Sequence, residues 1–453
     1  MIVAHSGGRR RGENALCSVI LQSPTRMKPL SYPDFVHRRG KIAVVLTRDI
    51  IVGSGRTAVI AKMLESLSRA HDLSRFRLRN LVEVRSPVDL GVAAMAWLIS
   101  LVHGRPLPLQ CLLYSSRAEC RRIAEQIRAG AFDAVYLDTV RCQMLQRELR
   151  RVAPGIFVVT DFDDLMSRRM KFLAENKLPL LTGHAGTSFP AWLRRLTEGP
   201  LARLVTVFDA ATLHHAEKEA AEVSNVVVLT SVRECEILRK SLRAEAQARL
   251  VGVPPPMDLR AEPWTNAQPF RFVFIGSDRL LQNRAAIDHL LERWRILKPA
   301  TQLHIYSAQT RPNQNVDGIH WHGFVEDLAE VYRPGSVLLL PSLVSGGIKT
   351  KVAEAWSFGC PVLGNTAAFE GLEVSDYPLE LMESLWDPLL LDPQFHMKHF
   401  IEAAKLGHEF VATHLSAQQF HRTWSEIVAS AFTSAESTME TTTLEIPALL
   451  VSD

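Results

Sequence analysis

The segment that carries the most chemistry is a glycine pair followed by a predicted helix with two lysines. It reads SVLLLPSLVSGGIKTKVAEAWSFG over residues 336–359, where an apolar strand leads into Gly346 and Gly347. Because glycine has no side chain, a ligand can approach the backbone N–H groups of the first helical turn. Those groups carry the positive end of the helix dipole and favour phosphate. The segment therefore predicts a diphosphate site, with Lys349 and Lys351 adding charge at its edge.

A glutamate on the same predicted helix extends this site. The helix is expected from about Ile348 to Phe358, and Glu354 lies seven residues after Gly347. That spacing corresponds to roughly 10 Å along a helix axis, about the distance from a nucleotide's phosphates to its ribose. A carboxylate there can accept hydrogen bonds from both ribose hydroxyls. The alternative is a plain glycine turn followed by a solvated glutamate.

In the first half of the chain, acidic residues follow the apolar run IFVVT. Asp161 and Asp163 lie in DFDDLMSRRM, at the predicted carboxyl end of a strand, where ligand sites accumulate. This place favours an acceptor-facing role for the two aspartates and Arg168. Loop structure and helix capping are the alternative roles.

A second glycine pattern lies near the start of the first predicted strand–helix unit. Residues 53–58 read GSGRTA and fit the dinucleotide pattern G-x-G-x-x-A. Several residues separate this pattern from the end of its strand at Thr47, whereas the dinucleotide fingerprint follows its strand directly. We therefore expect Gly53, Ser54 and Gly55 to line a cleft, with a plain helix entry as the alternative.

The elements that must position these residues alternate between strands and helices on both sides of a proline-rich stretch. Apolar runs predict strands at 41–47, 81–84, 134–137, 156–161 and 225–230, and again at 270–276, 302–307, 336–342 and 360–365. Helical segments such as 117–130 lie between them, which is typical of parallel βαβ units. The stretch 251–264 contains four prolines and no periodicity. The sequence thus predicts an α/β fold with two doubly wound, Rossmann-like domains facing across a cleft.

Length and charge divide the chain further. The 453 residues carry a net charge of +4, of which the first forty contribute +5 and residues 433–453 contribute −4. The nearly neutral body excludes a nucleic-acid binder by charge. The predicted domains are listed in chain order: a basic extension (1–40), an acceptor domain (41–250), a linker (251–268), a donor domain with a return helix (269–432) and a disordered acidic tail (433–453).

Cysteine spacing and hydropathy point to a cytoplasmic protein. The six cysteines form no C-x-x-C pair, so zinc and iron–sulfur sites have no support. No continuous apolar stretch typical of a secretion signal is found near residue 1. The longest apolar run, 90–102, is shorter than the roughly 20 residues that span a bilayer. We expect it to be a buried helix, with peripheral membrane contact as the alternative.

The run GGIKTKVAEAWSFGCPVLGNTAAFEGL resembles the donor-site signature of group 1 (family 4) nucleotide-sugar glycosyltransferases, which have the two-domain GT-B fold. Three further segments resemble the same family in the same order: FVFIGSDRLLQNRAAIDHLLERW, IHWHGFVEDLAEVY and SVLLLPSL. The resemblance covers residues 270–372. It implies the following donor contacts: Gly276, Ser277, Arg279, Asn283, Gly323, Phe324, Val325, Ser345, Gly346, Gly347, Ile348, Lys349 and Glu354.

One position departs from the family pattern. Many members carry two glutamates eight residues apart, and here Glu354 is the second while Gly346 stands at the first. This leaves open which residue contacts the transferred sugar. The family also favours basic residues on the phosphates, for which Arg279 and Lys349 are candidates, Lys349 being the better placed.

The resemblance also extends to the acceptor half, over residues 157–240. It implies acceptor-side roles for Asp161, Asp163 and Arg168, and it adds His184, in LTGHAGTSFP, as a candidate active-site histidine. An ordinary surface histidine is the alternative. Asp161-x-Asp163 matches the metal-binding pair of the other major glycosyltransferase fold, but GT-B enzymes neutralise diphosphate with a helix dipole and lysine. We therefore predict no metal and no cofactor.

Together these features predict a hexosyltransferase-type glycosyltransferase. It would move a sugar from a nucleotide-diphosphate donor to a glycan or lipid-linked acceptor, at the inner face of the membrane. The catalytic candidates are Lys349, Glu354, Asp161 and Asp163, and the family implies retention of configuration. A GT-B nucleotide-sugar epimerase and a non-catalytic nucleotide-sugar-binding protein remain the alternatives.

Overall fold

The computed structural model describes residues 39–50, 55–175, 200–247, 249–265, 270–278, 280–307, 316–344 and 346–442. These residues belong to one unit that begins at Arg39. They form two parallel sheets flanked by helices, so the predicted two-domain α/β fold is confirmed.

The first sheet has six parallel strands in the order β2-β1-β3-β4-β5-β6. Its strands are β1 (Lys41–Leu46), β2 (Asp72–Arg77), β3 (Ala134–Asp138), β4 (Phe157–Asp163), β5 (Val226–Leu229) and β6 (Leu250–Gly252). The central strands are buried on both faces, as their continuous apolar runs predict. The helices of this domain are α1 (Gly55–Ser68), α2 (Leu81–Val84), α3 (Pro87–Val102), α4 (Leu109–Leu112), α5 (Arg117–Ala129), α6 (Gln143–Val152), α7 (Met166–Glu175), α8 (Pro200–Val223), α9 (Val232–Arg239) and α10 (Ala244–Gln247).

The second sheet has five parallel strands in the order β11-β10-β7-β8-β9. Its strands are β7 (Arg271–Ile275), β8 (Leu303–Tyr306), β9 (Ile319–His322), β10 (Ser336–Leu340) and β11 (Val362–Gly364). The remaining helices are α11 (Leu281–Leu297), α12 (Leu328–Val331), α13 (Thr350–Ser357), α14 (Thr366–Phe369), α15 (Asp387–Leu391), α16 (Met397–His414) and α17 (Ala417–Thr442).

One predicted strand is wrong. The segment 81–84 forms the short helix α2, because Asn80 caps it. The Asn80 side chain accepts a hydrogen bond from the Glu83 N–H, and the Glu83 carboxylate accepts one from the Asn80 N–H. This reciprocal pair is a capping box, which starts a helix irrespective of strand propensity. The strand of this unit is the more polar β2, at the edge of the sheet.

The expectation of a buried helix over 90–102 is also wrong. The run lies on α3, whose buried residues are Asp89 and Ala93, while most of its large apolar side chains face outward. The segment does form a helix, but the described residues do not bury its apolar surface.

The last helix returns to the first domain. Phe420, Trp424 and Val428 of α17 are buried in the core formed by β1, β3, β4 and α1. The helix continues to Thr442, ten residues into the segment 433–453 that was expected to be a disordered tail. Residues 443–453 lie outside the described residues.

Helices α7 and α8 enclose a buried carboxyl group beneath the cleft. The Glu217 side chain accepts hydrogen bonds from the Ser167 N–H at 2.9 Å and from the Ser167 hydroxyl at 2.5 Å. Burial raises the pKa of Glu217 to about 8. The folded protein therefore holds a proton that the unfolded chain releases from about pH 4.5 upward, so stability falls as the pH rises from there to 8.

We expect Glu217→Gln to reduce this loss of stability. At pH 8 the variant should be more stable than the wild type by about 1–3 kcal/mol, and at pH 4.5 the difference should vanish. Urea denaturation at the two pH values measures the effect. Glu219→Gln, which changes a half-exposed carboxylate paired with Arg147, is the control. Identical pH slopes for the wild type and Glu217→Gln would contradict the prediction.

Candidate functional site

A cavity of about 330 Å³ lies between the carboxyl edges of the two sheets. The first domain lines it with residues that follow β1, β4 and β5, and the second domain with residues that follow β7 and β10. The lining includes Gly55, Arg56, Asp163, Asp164, Arg169 and Thr230 on one side, and Asn283, Gly346, Gly347, Ile348, Lys349, Thr350 and Lys351 on the other. This is the position at which doubly wound sheets bind ligands.

The glycine loop adopts a backbone that only glycine enters freely. Gly346 has a φ of +106° and Gly347 a φ of +63°. Helix α13 begins at Thr350, two residues later than the expected start, and its N-cap residue Lys349 provides no side-chain cap. Thr350 and Lys351 line the cavity, and the Val352 N–H donates to the Lys349 carbonyl at 2.9 Å.

The two glycine N–H groups themselves donate to carboxylates of the chain. Gly346 donates to Glu370 Oε2 at 2.6 Å, and Gly347 donates to Glu234 Oε1 at 3.3 Å across the cleft. Glu234 Oε2 is buried and has no hydrogen-bond partner among the described residues. Burial raises the pKa of Glu234 to about 8. In this structure the loop amides therefore donate to the protein's own carboxyl groups, while the helix start at 349–351 has no side-chain cap.

Two lysines flank the start of α13 on different sides. Lys349 Nζ donates to the Gly346 carbonyl at 2.6 Å. Lys351 Nζ donates to Asn283 Oδ1 at 2.8 Å and lies 5.1 Å from the centre of the Phe274 ring. Burial lowers the pKa of both lysines to about 8. Both lysines line the cavity, so an anion there would meet two partly desolvated cations.

Glu354 lies one turn beyond Lys351 on α13. Burial raises its pKa, and the nearby Lys351 opposes that shift. Its carboxylate has no hydrogen-bond or ion-pair partner in the described part of the chain, and it does not line the cavity itself. It remains available to a group that extends beyond the phosphate position.

On the first domain, Arg56 holds three aspartates together. Its guanidinium lies 2.8 Å from Asp161, 3.4 Å from Asp163 and 3.5 Å from Asp138. Asp161 is buried and also accepts a hydrogen bond from the Tyr136 hydroxyl at 2.8 Å. These contacts fix Asp161 inside the domain.

Asp163 differs from Asp161 because the strand is irregular between them. The β4–β5 register shifts at this point, and Asp163 has a φ of +67°. The turn directs Asp163 to the cavity. Burial raises its pKa to about 6, so it titrates close to neutral pH. Asp163, rather than Asp161, is the aspartate that a substrate can reach.

Two arginines of α7 complete the cleft. Arg168 pairs with Glu370 of the second domain and lies 3.9 Å from Glu234. Arg169 pairs with Asp164 and lines the cavity. The Arg168–Glu370 pair therefore joins the two domains beside the glycine loop.

Residues 269–376 match a family model described as glycosyl transferases group 1. Among solved structures, the chain is similar to Anabaena Alr3699/HepE in complex with UDP-glucose, with 12% identity, a TM-score of 0.54, and coverage of 86% of this chain and 100% of that chain. The chain has a GT-B fold. Its second domain is similar to group 1 glycosyl transferases.

A second GT-B neighbour is an E. coli structure described as trehalose-6-phosphate bound with UDP-2-fluoro glucose. It shares 10% identity at a TM-score of 0.52, covering 86% of this chain and 99% of that one. The crystal structure of TarM shares 12% identity with this chain at a TM-score of 0.46. The match covers 70% of this chain and 60% of the TarM chain. No curated protein sequence matches the chain significantly.

The GT-B donor residues expected from sequence fall into three groups. Asn283 and the loop from Gly346 to Lys349 line the cavity. Gly276 and Ser277 support residues of the cavity wall. A Cβ atom added to Gly276 would lie 2.4 Å from Lys351 Nζ, and the Ser277 carbonyl accepts a hydrogen bond from the Asn283 side-chain amide. Gly323, Phe324 and Val325 follow β9 and do not line the cavity.

Several predicted residues lie outside the described part of the chain, namely Gly53, Ser54, His184, Arg279 and Ser345. Gly55 is described and lines the GT-B cleft, and a Cβ atom there would lie 3.3 Å from Thr350 Oγ1 of the opposite domain.

Five charged residues of the GT-B cleft escaped the sequence analysis: Arg56, Asp164, Arg169, Glu234 and Glu370. Glu370 had a usable signal, since it follows the strand 360–365 at its carboxyl end. Glu234 had the same signal, since it follows the strand predicted at 225–230, but its contact with Gly347 joins residues 113 positions apart and has no local signature. Within the described ranges, no cluster of three or more His, Cys, Asp or Glu could hold a metal ion. None of the described helices is long and apolar enough to cross a membrane.

Proposed function

We propose that this protein is a glycosyltransferase that transfers a sugar from a nucleotide-diphosphate donor to an acceptor bound in the same cleft. The observation that carries the proposal is the uncapped start of α13, where two half-buried lysines meet a cavity lined by both domains. The match of residues 269–376 to group 1 glycosyl transferases supports it. HepE, which shares the fold, was solved with UDP-glucose, and this supports a nucleoside diphosphate as the leaving group.

We propose that the site stabilises the negative charge that develops on the diphosphate as it leaves the sugar. When the bond from sugar to diphosphate breaks, negative charge grows on the phosphate oxygens. Fixed N–H dipoles and ammonium groups that face this position lower the barrier, because they need little reorganisation. Lys349 and Lys351, with pKa values of about 8, are mostly protonated at neutral pH. On this proposal no metal is required.

We place the acceptor on the first-domain side of the cavity. Asp163 is exposed to the cavity and titrates near neutral pH, so it is suited to accept a hydrogen bond from an acceptor hydroxyl. Enclosure of both substrates by two domains excludes water and aligns the reacting groups. We propose a glycan or lipid-linked acceptor, a hexosyl group, retention of configuration and a role in polysaccharide biosynthesis. We place the protein in the cytoplasm, at the inner face of the membrane.

A donor screen tests the proposal. The purified full chain is incubated with a panel of nucleotide-diphosphate sugars, with and without lipid-linked and glycan acceptors, and released nucleoside diphosphate is measured. Acceptor-dependent release is the expected result. Epimerised donor without acceptor would instead assign an epimerase, and binding without turnover a non-catalytic protein. Failure of every nucleotide to bind would overturn all three.

Glu354→Ala is expected to weaken binding of the nucleotide found in that screen. The affinity should fall by about 1–3 kcal/mol, because the ribose hydroxyls lose a carboxylate acceptor. Titration calorimetry measures the change, and Glu292→Ala, on an exposed face of α11, is the control. With a 2′-deoxy nucleotide, Glu354→Ala should reduce the affinity by less, because one of the two ribose hydroxyls is already missing. Unchanged affinity would remove Glu354 from the site.

A further inference from the structure

The first domain exposes an apolar helix that the core does not use. The sequence of α3 is PVDLGVAAMAWLISLV, and its only charged residue, Asp89, is buried. Met95 is 58% exposed, Leu98 50% and Val102 85%. Soluble proteins seldom expose contiguous apolar surface of this kind unless it contacts something.

The apolar surface continues onto the first half of α8. Leu204 and Val207 are exposed there, and Phe208 packs edge-on against Trp97 of α3, with ring centres 5.9 Å apart. The two helices thus present one surface, which we call the α3–α8 face. Its exposed residues include Leu90, Met95, Leu98, Ile99, Leu204 and Val207.

Among the described residues, the exposed charged side chains at the ends of α3 and in the first turn of α8 are arginines. Arg85 precedes α3, Arg105 follows it, and Arg203 lies in the first turn of α8; all three are exposed. None of them forms an ion pair with another described residue. The nearby acid Asp209 is buried and accepts the Leu109 N–H at 2.7 Å. An apolar face bordered by unpaired arginines complements a bilayer surface with anionic headgroups.

The segment that carries α3 starts and ends at the carboxyl edge of the first sheet. The chain enters α2 from the carboxyl end of β2, where the Leu78 N–H donates to the carbonyl of Leu46, the last residue of β1. It returns through α4, where the Cys111 thiol donates to the Val140 carbonyl just beyond β3. Both ends of the segment that carries α3 are therefore held at the cleft edge of the first sheet.

We propose that the α3–α8 face binds an anionic membrane surface, with α3 lying in the plane of the interface. At 16 residues, about 24 Å, the helix is too short to cross the roughly 30 Å core of a bilayer. Binding in this orientation brings the acceptor side of the cleft to the headgroups. The inference thereby deepens the proposed function, because it favours a lipid-linked acceptor over a free glycan.

Vesicle co-sedimentation of the full chain tests the membrane contact. The wild type should bind vesicles of phosphatidylcholine and phosphatidylglycerol, and binding should weaken with added salt and on neutral vesicles. The double variant Met95→Glu/Leu98→Glu should reduce the partition coefficient at least about 10-fold. Phe395→Glu, at an exposed apolar residue of the second domain, is the matched control and should bind as the wild type does. Thermal melting confirms that the variants fold.

Other results would overturn the proposal. Failure of the wild type to bind anionic vesicles would do so directly. A concentration-dependent dimer in analytical ultracentrifugation that Met95→Glu/Leu98→Glu abolishes, together with unchanged vesicle binding by the variant, would assign the face to a second copy. The donor screen separates this inference from the proposed function, because vesicle binding needs no nucleotide. Likewise, the double variant should keep its turnover on a water-soluble acceptor.

Discussion

Lys351→Met is expected to weaken binding of the nucleoside diphosphate by about 10- to 100-fold, the loss of one charge-assisted hydrogen bond. Methionine keeps an unbranched stem against the Phe274 ring, so packing should change little. Among the described residues, the ammonium group donates one side-chain hydrogen bond, to Asn283, so it can turn to a phosphate at a small cost. Calorimetric titration of the wild type and the variant measures the effect.

The pH dependence gives this experiment a second readout. The protonated lysine binds the anion, and its pKa is about 8, so wild-type affinity should fall as the pH rises from 7.5 to 9.5. Lys351→Met should show a shallower fall, to which Lys349 still contributes. Lys171→Met changes a lysine on the exposed surface of α7 and serves as the control. If Lys349→Met lost affinity and Lys351→Met kept it, the phosphate would be assigned to Lys349, the lysine that the sequence analysis favoured.

Arg56→Met is expected to lower the free energy of unfolding by about 3–5 kcal/mol, because it leaves buried carboxylates without their cation. The Arg56 side chain is 9% exposed, and Asp138 and Asp161 are buried beside it. Chemical denaturation at pH 7 measures the loss. The loss should shrink at low pH, where the aspartates become protonated.

Two further variants separate this charge effect from a packing effect. Adding Asp161→Asn to Arg56→Met should recover part of the stability, since one uncompensated charge is removed. Arg69→Met, at an exposed arginine just beyond α1, should change stability by no more than about 0.5 kcal/mol. A loss below about 1 kcal/mol in Arg56→Met, or no recovery in the double variant, would show that the aspartates do not depend on this arginine.

The sequence predicted those parts of the fold that depend on local pattern. The central strands were found because a continuous run such as KIAVVL, over 41–46, has few other stable forms inside a parallel sheet. The glycine loop was found because backbone with positive φ, here +106° and +63°, favours glycine. Segment 81–84 was misassigned because its capping box, which begins at Asn80, outweighs its apolar composition.

Contacts between distant residues could not be predicted in this way. Asp161 and Asp163 look alike in the sequence, and only the register shift in β4 buries one and exposes the other. Glu234 meets the glycine loop because the two domains close on each other, and no spacing along the chain records that closure. The exposure of α3 could not be predicted for a related reason. Hydropathy shows that a helix has an apolar surface, but it does not show whether other parts of the fold bury that surface.

The return of α17 to the first domain limits how the cleft can open. The chain crosses between the domains twice, once after β6 and once between α16 and α17, and the Met257 N–H of the first crossing donates to the Leu415 carbonyl of the second at 2.7 Å. The two crossings therefore lie side by side, and relative movement of the domains must bend both of them there. For the same reason the first domain cannot be expressed as a fragment that stops before α17, because Phe420 and Trp424 would be missing from its core.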